Sequence, residues 1–575
     1  MGRSLLRSSH RKVTTTALFC SGILIFVYII SQWLYGTIDA TEERRFTLAP
    51  ATKQLLKGLD DRIYIKVLLS GKFPAGFKRL QESTEDMLRR FSQVNHDIQY
   101  SFENPNVGTV DEINDRRKQL AAAGLIPTQL RISDATSAST QSIYPFAIIH
   151  YGSRSIAVPL LQDDIPGADK DVIINNSISL LEYKLADGIQ KIKRQHQELI
   201  AFSMGQGELN HLQTASIEKE LADEYVINRI NLDSVVEIPQ EIRALIIAKP
   251  TQNFSEIQLF MMDQYVMHGG NIMFLIDPLN VSLDSINVNK YYIPPPYDLG
   301  LDPLLFEYGA RINPNLVLDL QCTRIPMVVG MQGDKPQTEL YPWYYHPLIT
   351  STSNHPITKG LDKIQLEFPS SIDTIQTASK IKKTILLKSS QYSRLQLTPV
   401  RLNFAILHEQ LDPSLFNKGP QGFAIMLEGS FQSLFQNRLS SEQMDVLHTA
   451  GLEFKASSDR SKVLVVSDGD IIKNLVNPNT GDPAPLGFNK YENTTFTGNR
   501  DFLLNSLEYM LDESGVLEAR LKDIKLRLLD SVKAREQGTR WQLINILGPL
   551  MLIFSIGILY QYIRKRKYGR VVNQG

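Results

Sequence analysis

Two long apolar runs lie near the ends of the chain. The first covers Ala17–Leu34, and the second, Leu543–Tyr562, is a run of twenty residues without a charged side chain. A helix of this length spans the roughly 30 Å of a bilayer's hydrocarbon core. The pattern predicts transmembrane helices over 13–35 and 541–562. A cleaved signal peptide is the alternative for the first run, and a buried core helix is the alternative for the second.

Basic residues predict the orientation of both runs, because positive charge concentrates on the cytoplasmic side of a membrane. The N-terminal tail, residues 1–12, contains Arg3, Arg7, Arg11 and Lys12. The C-terminal tail, residues 563–575, contains Arg564, Lys565, Arg566 and Lys567. We therefore expect a two-pass protein of the bacterial inner membrane. Both termini would be cytoplasmic, and the central region would be periplasmic.

The first part of that central region, residues 41–195, alternates between strand and helix patterns. Strands are predicted at Ile63–Leu69, Ile98–Phe102, Ile143–Tyr151 and Ser155–Leu160, with helices at Phe77–Phe91, Asp111–Ala123 and Val172–Arg194. In Val172–Arg194, apolar residues recur every three or four positions. This order is typical of a thioredoxin-like α/β domain. The range contains no cysteine, so thiol redox chemistry is excluded there.

Residues 199–513 predict a larger α/β domain. Ile242–Lys249 and Asn271–Ile276 are nearly continuous apolar strands, as a parallel sheet covered on both faces requires. Between them we predict the helix Glu256–His268, capped by Ser255. This unit favours a doubly wound sheet. The remaining predicted strands are Leu199–Met204, Val226–Leu232, Asn315–Leu320, Thr384–Leu387, Leu402–Leu407, Phe423–Leu427 and Val463–Val466, and the last soluble helix is Asp501–Leu511.

Two further segments differ in pattern from the rest. Residues 281–370 are rich in proline and aromatic residues, above all at Tyr291–Tyr297 and Tyr341–Pro347, and we interpret them as long ordered loops. Residues 516–538 are charged but carry leucine, isoleucine or valine every three or four positions. This spacing predicts an amphipathic stalk helix that leads into the second membrane run.

The composition excludes several classes of protein. Lysine plus arginine equals aspartate plus glutamate, at 61 each, so no nucleic-acid partner is indicated. The two cysteines, Cys20 and Cys322, cannot form a disulfide framework or a cysteine metal site. We expect no metal and no cofactor.

Candidate chemistry is sparse. Gly205–Glu208 follows a strand, but it lacks the third glycine of a dinucleotide-binding turn and the lysine of a P-loop, so a tight turn is the favoured interpretation. Cys322 follows a strand without the glycines that a nucleophile elbow needs. Tyr344 and His346 in the aromatic segment, and Asp468 and Asp470 after a buried strand, are the candidate ligand-binding residues, with loop packing and a simple turn as the alternatives. No catalytic constellation results.

The chain resembles the gliding-motility-associated ABC transporter auxiliary proteins of Bacteroidetes, the GldG-like family. The resemblance is carried by Arg44–Leu48, Asn176–Ile178, Leu181–Tyr183, Leu245–Pro278, Leu427–Gly429 with Phe431, Val465–Asp470 and Gly498–Asn499. In this family the turn at Gly205–Glu208 has histidine where this chain has Gln206.

This resemblance implies a periplasmic, amidotransferase-like α/β region and partnership with a separate ABC ATPase and permease. It also implies a substrate-binding role for an unknown ligand. The expected function is thus a non-enzymatic auxiliary component of an ABC transporter, linked to gliding motility or envelope export. Two alternatives stay open. One is a membrane-tethered hydrolase or amidotransferase-like enzyme that uses Cys322, Asp468 or Asp470. The other is a scaffold that binds envelope polysaccharide through its aromatic segments.

Overall fold

A computed structural model describes residues 47–568 apart from gaps at 72, 135–136, 163–169, 195, 288–290, 334, 351–353, 408–411 and 522–536. Near the N-terminus it describes only residues 19, 21–23 and 26. The fold is mixed α/β. The chain divides into two compact units, Met1–Asp523 and Ile524–Gly575. The predicted N-terminal tail and the membrane helix over 13–35 lie outside the described residues, except for those five positions.

The first sheet has four strands in the order β2-β1-β5-β6. These are β1 (Ile63–Val67), β2 (Ile98–Phe102), β5 (Phe146–Tyr151) and β6 (Arg154–Pro159), and β1 pairs parallel with β2 and antiparallel with β5. Its helices are α1 (Pro50–Lys57), α2 (Ala75–Val94), α3 (Val110–Ala122), α4 (Lys170–Ser179) and α5 (Leu181–Lys193). The single helix predicted over Val172–Arg194 is thus two helices, which are separated at Leu180. The prediction also missed a hairpin of β3 (Thr128–Asp134) and β4 (Ser137–Ile143).

The second sheet has seven strands in the order β17-β19-β20-β10-β9-β7-β8. The five strands from β20 to β8 are parallel, as predicted for Ile242–Lys249 and its neighbour, while β19 runs antiparallel to β20. The strands are β7 (Glu198–Met204), β8 (Tyr225–Asn231), β9 (Ile242–Ala248), β10 (Asn271–Leu275), β17 (Ile381–Lys388), β19 (Gly422–Gly429) and β20 (Ser461–Val466).

Both faces of this sheet are buried. Along β9, Ala244 and Ile246 pack into one hydrophobic core, whereas Leu245 and Ile247 pack into the other, as the two-residue period of a strand requires. The helices that cover the sheet are α6 (His211–Leu221), α7 (Glu256–Met267), α9 (Asp302–Tyr308) and α11 (Gly498–Leu511). Two further helices of this part of the chain are α8 (Leu283–Asn287) and α10 (Ser441–Thr449). Ser255 caps α7 in a capping box, as predicted.

One half of the proline-rich segment is not the loop that we predicted, whereas Tyr291–Tyr297 contains only isolated bridges, as a loop does. Cys322–Gln332 (β13) and Lys335–Ile349 (β14) form a long antiparallel hairpin that includes the whole Tyr341–Pro347 stretch. Its four prolines are compatible with strands because a two-stranded hairpin leaves edge positions where no N–H is needed. Conversely, the strand predicted at Leu402–Leu407 is a bridge followed by a 3-10 helix at Phe404–Leu407.

Short elements complete the described part of the chain. Strands are β11 (Ala310–Ile312), β12 (Asn315–Asp319), β15 (Ile364–Gln365), β16 (Ile372–Thr374), β18 (Ser393–Leu397), β21 (Phe488–Asn489) and β22 (Thr494–Thr495), and 3-10 turns are Pro413–Leu415, Asp470–Ile472 and Val516–Leu521. Val516–Leu521 is the described beginning of the predicted stalk, and residues 522–536 lie outside the described residues. Val516 packs into the core of the first sheet.

Within residues 537–568, the described part of the C-terminal unit, the chain forms the helix α12 (Gly538–Tyr568), with Pro549 inside it. Its 29 residues from Gly538 to Arg566 are long and apolar enough to cross a membrane, judged by length and composition. Arg564–Lys567 lie in its last turns, and residues 569–575 lie outside the described residues.

Candidate functional site

The carboxyl ends of three adjacent parallel strands bring four charged side chains together. Lys249 follows β9, Asp277 comes two residues after β10, and Asp468 and Asp470 follow β20. Ligands of open α/β sheets bind at this edge. We call these four residues the strand-end cluster.

The ammonium group of Lys249 holds the cluster together. Its Nζ lies 2.9 Å from Asp277 Oδ2 and also pairs with Asp470, which in turn accepts from Lys473 Nζ at 3.1 Å. Lys249 has a φ of 54°, a left-handed conformation that is uncommon for a residue with a side chain. Strained residues of this kind concentrate at functional sites.

Asp468 has a different role, because both of its carboxylate oxygens bind backbone amides. It accepts from the N–H of Asp470 at 2.8 Å and from the N–H of Glu367 at 2.6 Å. The intervening Gly469 donates its own N–H to Asp277. A Cβ at Gly469 would lie 2.7 Å from the Cβ of Lys249, so only glycine fits there.

The charges in this cluster follow from burial and pairing. Burial opposes ionisation of Asp470, but the ammonium groups of Lys249 and Lys473 outweigh it, and the pKa of Asp470 lies below its usual value. Burial raises the pKa of Asp468 and of Asp277. For Lys249, the two neighbouring carboxylates outweigh burial and raise its pKa, so the ammonium stays charged.

The same carboxylates have the spacing of a possible cation site. Oxygens of Asp277, Asp468 and Asp470 lie within 4.8 Å of one another, and oxygen ligands suit hard cations. The Lys249 ammonium already supplies positive charge between two of the three carboxylates. The cluster is therefore balanced by the protein's own cation.

A cavity of about 150 Å³ adjoins the cluster. Asp470 and Lys473 belong to its wall, together with His346 and Glu367. Phe368, next to Glu367, also has a left-handed φ of 52° and packs edge-on against the His346 ring at 4.8 Å. The cavity is lined in addition by Ser282, Leu283, Asp284, Gln365, Leu475, Pro485, Leu486, Gly487, Phe488, Asn489, Lys490, Tyr491 and Asn499.

Burial shifts the pKa of two titratable groups that line this cavity, His346 and Glu367. Burial lowers the pKa of His346 to about 3, so its imidazole is neutral at any physiological pH. Its Nε2 is buried and has no hydrogen-bond partner among the residues that the structure describes. Burial, reinforced by the nearby Asp470 carboxylate, raises the pKa of Glu367 to about 7. Glu367 therefore changes charge near neutral pH.

Of the four ligand-binding candidates, the structure places His346 and Asp470 on one cavity. Asp468 is not among the residues that line this cavity, and both of its carboxylate oxygens accept hydrogen bonds from backbone amides. Tyr344 packs against Phe416 instead, with ring centres 5.7 Å apart. Sequence reasoning missed four other residues, Lys249, Asp277, Glu367 and Lys473. Lys249 and Asp277 carried a usable signal, since each is a charged residue just after a nearly continuous apolar strand.

The surroundings of the other two candidate motifs, Gly205–Glu208 and Cys322, disfavour the chemistry considered for them. The Glu208 carboxylate accepts hydrogen bonds from the backbone N–H of Gln206 at 2.7 Å and from Ser203 Oγ at 2.8 Å. The carboxylate therefore occupies the position at which this turn would bind a phosphate. At Cys322, burial raises the pKa of the thiol to about 12, which leaves little of the nucleophilic thiolate.

Comparisons with known proteins place the chain in a family. The family described as ABC-type uncharacterized transport system matches residues 197–506, more than half of the chain, and a domain of unknown function (DUF7088) matches residues 42–150. An uncharacterized protein of Borreliella burgdorferi is 23% identical over 464 residues, which cover 78% of this chain and 84% of that protein.

Among solved structures, the mmIFT52 N-terminal domain is similar over 54% of this chain and 96% of that domain, with 12% sequence identity and a TM-score of 0.30. The family match is the one that bears on function.

Proposed function

The chain belongs to the family described as ABC-type uncharacterized transport system, and on that premise we propose that it is a non-catalytic, membrane-anchored accessory component of an ABC transporter. ATP hydrolysis and substrate passage would belong to separate ATPase and permease subunits. The role of this chain would be to bind a substrate or a partner outside the membrane. Gliding motility and envelope export are the two processes that we propose it serves.

One observation carries the non-catalytic part of this proposal. At the sheet edge, where an enzyme of this architecture would have its reactive groups, each charged residue is already engaged. Lys249 binds two carboxylates, Asp468 binds two backbone amides, and Asp470 binds two lysines. The hydrolase alternative is disfavoured at Cys322, because burial raises the pKa of its thiol. The cavity, in contrast, has polar groups with spare capacity for a ligand.

We further propose a two-pass topology in which α12 and an N-terminal helix over 13–35 anchor a periplasmic region. This region would comprise a thioredoxin-like domain and an amidotransferase-like domain. Arg564–Lys567 would hold the C-terminus in the cytoplasm. His346 and Asp470 would contact the ligand, with Asp468 supporting Asp470 and Tyr344 packing outside the cavity.

Affinity purification tests the proposed function. The full chain, tagged after residue 575 and extracted from its own membranes in a mild detergent, should bring down an ABC ATPase and a permease in comparable amounts. An Asp470→Asn variant is the control, because a ligand-site change should leave assembly intact. The proposal is wrong if intact chain is recovered repeatedly with neither subunit.

A further inference from the structure

We propose that the cavity beside the strand-end cluster binds an uncharged, hydroxylated six-membered ring, such as one sugar or cyclitol unit. This inference rests on the proposed function, in that it assigns the ligand class of the same site. It is argued from the size of the cavity, the unused hydrogen-bonding capacity of its wall and the balance of its charges.

Size limits the ligand to one ring. The cavity volume is about 150 Å³, and an apolar protein cavity of about 150 Å³ is known to hold benzene. A single six-membered ring therefore fits, whereas an oligosaccharide or a nucleotide would extend into solvent.

The wall offers donors and acceptors that protein groups leave unused. His346 Nε2 is buried without a partner among the described residues, although such a group in a native protein is normally hydrogen-bonded. Glu367 accepts on one oxygen from Gln365 Nε2 at 3.3 Å. Lys473 uses one of its three N–H groups on Asp470. Hydroxyl groups both donate and accept, so the hydroxyls around a ring can pair with side chains of either kind.

The charge balance disfavours an ionic ligand. Three carboxyl groups, of Asp284, Glu367 and Asp470, and two ammonium groups, of Lys473 and Lys490, line the cavity, so groups of both signs already face it. The neutral imidazole of His346 adds no charge. A charged ligand would lose its hydration and would meet groups of its own sign beside any counter-ion.

Part of the wall is apolar. Leu475, Leu486 and Phe488 line the cavity beside the polar groups. A pyranose or cyclitol ring presents C–H groups on its faces and hydroxyls at its rim, so its two kinds of surface match the two kinds of wall. An inorganic anion has no apolar face to match.

The test is direct binding to the full chain in lipid nanodiscs, since maltoside detergents carry sugar headgroups of their own. The uncharged probes are glucose, galactose, mannose, N-acetylglucosamine and myo-inositol, each followed by ligand-observed NMR and titration calorimetry. Glucuronate and inorganic phosphate are the charged probes. We expect at least one uncharged probe to bind saturably to the wild-type chain.

Two variants locate that binding. His346→Phe keeps a ring against Phe368 and removes the ring nitrogens, and it should weaken binding by about tenfold or more, the effect of losing one buried hydrogen bond. His355→Phe is the matched control. His355 is also buried, its Nε2 is also unpartnered among the described residues, and its ring lies 4.8 Å from Tyr509, yet it does not line the cavity. Binding should be unchanged in that variant.

Three results would overturn the assignment. One is the absence of binding by every uncharged probe to folded wild-type chain, and another is binding of phosphate or glucuronate alone. The third is unchanged affinity for the uncharged probe in the folded His346→Phe and Glu367→Gln variants. If His346→Phe does not fold, the affinity of Glu367→Gln alone is compared with that of the wild-type chain. None of these results affects recovery of ATPase and permease subunits, so failure here is distinguishable from failure of the proposed function.

Discussion

Lys249 Nζ lies 2.9 Å from the carboxylate of Asp277, and this pair joins the ends of two neighbouring strands in the centre of the larger sheet. Asp470, at the end of the next strand, shares the same ammonium. The pairing explains both the stability of this edge and the absence of a free reactive group within it.

Removal of the ammonium should be costly. Lys249→Met leaves Asp277 buried without its cation and leaves Asp470 with Lys473 alone. Loss of one partner of a buried pair costs about 3–5 kcal/mol. The matched control is Lys382→Met, because Lys382 pairs with Glu428 at the surface with its side chain 65% exposed, where a pair is worth less than about 1 kcal/mol. Urea denaturation of both variants measures the difference. Equal losses would contradict the role assigned to Lys249.

The same position predicts an acquired cation site. Lys249→Gly removes the internal ammonium, tolerates the left-handed φ of 54° and leaves three carboxylates within 4.8 Å. We expect calcium or manganese ions to raise the melting temperature of this variant and to leave the wild-type chain unchanged. Thermal unfolding with and without the ion is the measurement. A rise of equal size in the wild-type chain would show that Lys249 does not stand in for a cation.

The pH dependence of stability should follow from Glu367. Its pKa is raised to about 7 in the folded chain, so its contribution to stability is present below the unfolded pKa of about 4.3 and is lost as pH rises through about 7. The free energy of unfolding should therefore fall between pH 5 and pH 8, by about 1–3 kcal/mol from this group.

Glu367→Gln should reduce that decrease, because glutamine has no charge to bury at either pH. Urea denaturation at the two pH values, on wild type and variant, supplies the comparison. Asp277 and Asp468 have raised pKa values of the same sign, so a smaller decrease is expected to remain. An unchanged pH dependence in the variant would remove Glu367 from the explanation.

Cys322 should be chemically inert. Its thiol has a pKa of about 12 because of burial, so alkylation by iodoacetamide at pH 7.5 should be far slower than that of a free thiol, and Cys322→Ala should leave transport intact. Labelling of a Cys20→Ser variant, which leaves Cys322 as its one cysteine, measures this rate. Rapid labelling together with loss of transport in Cys322→Ala would revive the hydrolase alternative.

The sequence predicted the central elements of the fold because their signals are local. The continuous apolar strands β9 and β10 and the Ser255 cap of α7 follow from residues adjacent in the chain. The long hairpin was not predicted, because its prolines and aromatic residues have the composition of a loop. Its strands are recognised from their antiparallel pairing, for example of Ile325 with Tyr341.

The site was predictable in part for a related reason. Asp470 has the signal of a carboxylate just after a buried strand, but the partner that controls it, Lys249, is 221 residues away. His346 stood in a segment that we interpreted as a loop, and nothing near it in the sequence indicates that it shares a cavity with Glu367 and Asp470. Such relationships depend on strand order, which the local pattern does not specify.

The most direct test of the account as a whole is to measure where ATP hydrolysis resides. Material purified through a tag on this chain in mild detergent should hydrolyse ATP, and the activity should be lost when a stringent wash strips the chain of its partners. The account would be contradicted if the stripped chain alone retained the activity, or if intact chain from its own membranes brought down none.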